Sequence, residues 1–71
     1  MDRTMFQQHL AMAERHVALS EKHLLKQEAL IAELDRDGHD TADAVELLAT
    51  MRATQRLHLQ DRDRLLTELE R

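Results

Sequence analysis

The sequence predicts an all-α protein built as one two-helix antiparallel hairpin, coiled-coil-like in its pairing. Three observations predict it. Strand formers are scarce: two Val, one Ile, one Phe and neither Trp nor Tyr stand against abundant Leu, Ala, Glu, Arg and Gln, which favour helix. Apolar residues recur at the 4-3 spacing of a helix–helix seam. A single Gly, Gly38, punctuates a chain that contains no Pro, so one break separates two long helical segments.

The first helix is expected over about 2–36. Leu10, Val17, Leu24 and Ile31 recur every seven residues and form seam position a. Phe6, Ala13, Ser20, Gln27 and Leu34 form the companion position d. The turn is expected over 37–40, inside "LDRDGHDTAD". Gly38 enters the left-handed conformation that ends helices without a steric penalty. Asp40 or Thr41 can cap the next helix. Asp43 and Glu46 then fall in its first turns, where the helix dipole favours acids.

The second helix is expected over about 41–70. Its a row is Leu48, Gln55, Arg62 and Leu69, and its d row is Ala44, Met51, His58 and Leu65. Residues 1–71 thus form a single domain. Folding at Gly38 sets each a against a d: Ile31 with Ala44, Leu24 with Met51, Val17 with His58, and Leu10 with Leu65. The interleaved layers are Gln27 with Leu48, Ser20 with Gln55, and Ala13 with Arg62. On one flank His9, His16, His23 and Leu30 meet Glu68, Asp61, Thr54 and Leu47. On the other, Glu21 meets Arg52, while Glu14 and Glu28 face Leu59 and Val45 without an ion pair.

These rows nominate Phe6, Leu10, Val17, Leu24, Ile31, Leu34, Leu48, Met51, Leu59, Leu65, Leu66 and Leu69 as core and interface. Glu21, Gln27, Gln55, His58 and Arg62 form a polar part of the seam. Buried polar groups cost free energy unless paired, and polar seam positions commonly fix register or oligomeric state. The alternative role for this His/Glu/Asp/Arg cluster is a metal- or ligand-binding bundle.

Helices of this length run about 52 and 45 Å at 1.5 Å per residue. One seam between them is little core for so small a chain. Met12, Leu19, Leu25, Val45, Leu57, Leu59 and Leu66 lie off the seam rows, and contiguous exposed apolar surface marks interfaces. The expected state is therefore a homo-oligomer, a dimer whose two hairpins form a four-helix bundle, with another protein as a further partner.

Other classes fit poorly. The net charge is −4, with Lys and Arg interleaved among acids, so the concentrated basic footprint of a nucleic-acid binder is lacking. No apolar run approaches the ~20 residues that span a bilayer, so no membrane partner is expected. "MDRTMFQQHL" lacks the apolar run of a signal peptide, and the cytoplasm is the expected location. There is no Cys, hence no thiol chemistry. No nucleophile–base arrangement or phosphate-binding Gly loop occurs, and an enzyme is not expected.

"ERHVALSEKHLLKQE" places Glu14 before His16 and Glu21 before His23, which resembles a string of metal ligands. On a helix, however, His9, His16 and His23 stand about 10.5 Å apart along the axis, far beyond shared ligation at about 2.0–2.1 Å. Each Glu also points about 200° away from the His two residues on. No cofactor or metal is expected. The best intramolecular candidate set is His58 with Asp61, joined by His16 from the first helix.

The segments "AERHVALSEKHLLKQEALIAEL", "DGHDTADAVELLAT" and "LHLQDRDRLL" resemble a group of short bacterial helical-hairpin proteins of no established activity. The resemblance covers His9 to Leu69. It implies a natural hairpin and implies nothing about role. The expected function is a non-enzymatic structural or protein-interaction module, a self-associating hairpin acting as a small adaptor or regulator.

Overall fold

The computed structural model describes residues 2–71. Two helices, α1 (Arg3–Arg36) and α2 (Ala42–Glu70), account for nearly all of them. There is no strand among the described residues. The molecule measures 55 × 14 × 13 Å, with a radius of gyration of 16.3 Å. A compact domain of this length would have a radius near 11 Å. The hairpin is therefore a rod, one helix pair wide.

Local chemistry sets both ends of α1. Asp2 is its N-cap, and the Asp2 carboxylate accepts from the Thr4 backbone N–H at 2.9 Å. This satisfies one of the donors that a helix start leaves open. At the far end the Gly38 N–H donates to the Asp35 carbonyl at 3.1 Å and the His39 N–H donates to the Leu34 carbonyl at 2.9 Å. Gly38 has φ +76°. These two bonds and a left-handed Gly make up a Schellman cap.

The start of α2 resolves the choice between two capping residues. Thr41 occupies the N-cap position, but its side chain makes no capping bond. Asp40 does the work from one residue earlier, accepting from the Ala42 N–H at 2.9 Å. Thr41 contributes its carbonyl to the Val45 N–H, also at 2.9 Å.

The helices run antiparallel, as bonds at both ends require. Arg3 donates to the Leu69 carbonyl at 3.1 Å, one of the carbonyls that a helix end leaves open. Near the turn Gln27 donates to the Ala44 carbonyl at 2.9 Å. In α1 the residues shielded from solvent are Phe6, Leu10, Ala13, Val17, Ser20, Leu24, Gln27, Ile31 and Leu34, which is one unbroken 4-3 stripe. In α2 the most enclosed residues are Leu48, Gln55 and Leu65. Leu59 is half-buried beside the seam, whereas Leu66 is exposed.

The Gly38 turn is open: an added Cβ would meet nothing within 4 Å. A Gly38→Ala variant should therefore lose only the backbone term, about 1–2 kcal/mol for an L-residue held left-handed. Urea unfolding at fixed protein concentration should show a lower midpoint with an unchanged slope. An unchanged midpoint would mean that the chain turns here without a left-handed residue.

Candidate functional site

The side-chain features of this rod lie along its two flanks. On the flank that carries position g, a shallow groove of about 210 Å³ runs beside the seam, lined by residues that include His16, His23, Met51, Thr54 and His58. His16 and His58 face each other across it, ring centroids 5.3 Å apart and tilted by 51°. A smaller depression of about 120 Å³ continues toward the helix ends, with His9, Met12, Asp61 and Arg64 in its walls. His16 lines both, so the two join end to end.

The groove is less polar than its residue types suggest. The Thr54 hydroxyl donates to the Thr50 carbonyl at 3.1 Å, and the Thr50 hydroxyl leans on the Glu46 carbonyl at 3.4 Å. This back-bonding occupies the hydroxyls within their own helix. Asp61 is bound to Arg64 at 2.7 Å. The expected His16–Asp61 pairing is thus replaced by an ion pair with a neighbour three residues along the same helix.

That substitution also bears on metal binding. His16 and His58 stand together, but the Asp61 carboxylate serves Arg64. Among the described residues no three His, Asp or Glu side chains are placed to hold one ion.

The opposite flank is charged. Glu14, Glu21 and Arg62 border a third depression. Arg52 pairs with Glu28 at 3.4 Å, which corrects the expected Arg52–Glu21 contact and the expectation that Glu28 is unmatched. Side chains on a helix lean toward its N-terminus. Arg52 therefore leans toward the turn, while Glu28 leans away from the turn and toward Arg52. Glu21 leans away from both. Both partners are about half exposed, and such a pair contributes under about 1 kcal/mol.

The five polar seam residues do not gather into one cluster. Gln27 is bonded near the turn, and His58 belongs to the groove. Arg62 bends out of the seam so that its Nε and Nη2 reach Asp63 at 3.2 and 3.0 Å, a long stem over apolar surface with its charge in water. Glu21 lies exposed on the charged flank. Gln55 alone is enclosed, at 8% exposure, and its Oε1 is buried without a hydrogen-bond partner among the described residues.

Sequence reasoning overlooked one further pattern. Met5, Leu30 and Leu47 are exposed large apolar residues, each one heptad from a groove residue (Met12, His23 and Thr54). Met5, His9, Met12, His16, Leu19, His23, Lys26 and Leu30 form a second 4-3 stripe on α1. It lies about 100° around the helix from the first. The signal was present in the spacing, but alternation of Met and Leu with His disguised it as a polar flank.

Comparison with protein-family models, curated proteins and solved structures gives no match to this chain. No helix among the described residues is long and apolar enough to cross a membrane.

The orphaned Gln55 oxygen gives a direct test of the seam. A Gln55→Leu variant removes a buried acceptor whose desolvation costs about 1–3 kcal/mol, so its thermal midpoint should rise. A lower midpoint would show that Gln55 makes a bond worth more than the packing of a Leu.

Proposed function

We propose that this protein is a non-enzymatic interaction module that works as a self-associated pair of hairpins, a four-helix bundle, and serves in the cytoplasm as a small adaptor or regulator. One observation carries the reading. No side chain among the described residues is wholly sealed from solvent, while nine large apolar side chains are exposed, from Leu66 at 36% to Leu25 at 67%. Full burial of such a side chain is worth about 1.5–3 kcal/mol. An isolated hairpin forgoes most of that gain, and a second helical layer recovers it.

Surface area supports the same reading. The chain exposes 5501 Å² at a mass of 8.3 kDa. A compact monomer of that mass exposes about 4,600 Å². The excess, about 900 Å², is close to the roughly 800 Å² that one partner contributes to a stable protein–protein interface.

Sedimentation equilibrium at micromolar concentration should give the mass of a dimer, and the thermal midpoint should rise with protein concentration, since association stabilises by mass action. A folded monomer whose midpoint ignores concentration would overturn the proposal.

A further inference from the structure

The second stripe on α1 assigns the face. Resting on the reading of the chain as self-associating, we infer that a second copy docks on the groove-bearing Met/His face, and that the acidic flank stays in solvent. Apolar area and charge argue for the same side.

Six of the nine exposed large apolar residues belong to this face: Met5, Met12, Leu19 and Leu30 on α1, with Leu47 and Leu57 on α2. Met12 and Leu19 line its two depressions directly. The other four lie one heptad from residues that do. Only Leu25, Val45 and Leu66 remain for the opposite flank. The groove already brings the outward rows of both helices to one side, so an incoming hairpin meets a continuous strip.

Charge separates the faces further. Along the second stripe from Met5 to Leu30, Lys26 is the one Lys, Arg, Asp or Glu. The acids that α2 adds include Asp61 and Glu68, and each is accompanied by a cation three residues further along the chain: Asp61 by Arg64 at 2.7 Å, Glu68 by Arg71 at 3.9 Å. The opposite flank of α1 carries Glu14, Glu21, Glu28 and Asp35 in one row. Acids are almost never fully buried unless paired, whereas His is commonly half-buried. Docking on the acid row would desolvate four carboxylates of α1, whereas on the Met/His face α1 presents none and Asp61 and Glu68 of α2 already have ion-pair partners.

A helix can serve two seams at once when its apolar rows are about a right angle apart, which is the arrangement around a four-helix bundle. The first stripe of α1 faces α2 within the chain. The second, about 100° away, faces outward where a neighbouring helix of the other hairpin would sit. The geometry thus gives α1 two partners, one from its own chain and one from the copy.

Single charges on each face test this, read by sedimentation equilibrium with helicity followed by circular dichroism. Met12→Glu and Leu19→Glu each bury a charge in the proposed contact and should raise the dimer dissociation constant on the order of a hundredfold. Leu25→Glu, on the opposite flank, should leave it within about twofold. Disruption by Leu25→Glu with no effect of the other two would overturn the face assignment and leave self-association standing. A folded monomeric wild type would overturn both. Should the Glu variants unfold, thiol labelling decides, because the chain has no Cys of its own. Labelling of a Leu19→Cys variant should slow as protein concentration rises, and labelling of Leu25→Cys should not. Equal behaviour at the two positions would overturn the assignment.

Discussion

Two helices share one line of contact, and every other property of this molecule is shaped by that limit. A residue in the seam touches the facing helix on one side and remains near solvent on the other. Burial is therefore shallow: Ala13, Val17, Leu48, Gln55 and Leu65 are the enclosed residues, and Leu65 is the most enclosed at 2% exposure. A bundle of three or four helices would surround such positions. Here the seam is an edge contact along its full length, and polar residues can occupy seam positions because water is one side chain away. Arg62 illustrates this, lying along the seam while its guanidinium emerges to Asp63.

The broad fold was legible because it depends on backbone chemistry and on spacing. One Gly in a chain without Pro leaves one place for a helix to end in a left-handed residue, and the Schellman bonds of Gly38 and His39 occur there. The seam of α1 was legible for a similar reason: a seven-residue repeat fixes which side chains share a face, whatever the tertiary context. The choice between Asp40 and Thr41 as the capping side chain was not. Both are good caps, and the difference lies in the backbone: Thr41 is held at φ −103°, ψ 0°, outside the extended region a capping residue normally adopts, while the Asp40 carboxylate reaches the Ala42 N–H.

The flank contacts were less legible. Position in a heptad says which residues are level with one another, but a long exposed side chain does not stay level. Arg52 and Glu28 meet because each leans toward its own helix N-terminus, and in an antiparallel pair those leans converge. Asp61 has both a His across the seam and an Arg one turn along. The bidentate-capable Arg prevails. Such pairings depend on rotamers worth fractions of a kcal/mol each, below what residue spacing alone can rank.

The histidines of "ERHVALSEKHLLKQE" follow from the same geometry. A residue at position g borders the intramolecular seam and, when position c is apolar, also belongs to the outward stripe. A wholly apolar side chain there would make one broad, sticky surface, and a charged one would close the stripe to any partner. His has an apolar ring body with polar nitrogens at its rim, so it can tolerate contact on either side. His16 shows both roles at once, set against His58 near the seam and forming part of both outward depressions. The Glu two residues earlier in each repeat projects to the far flank. The repeat thus divides the rod lengthwise into an acidic side and a Met/His side, with one short sequence unit specifying both.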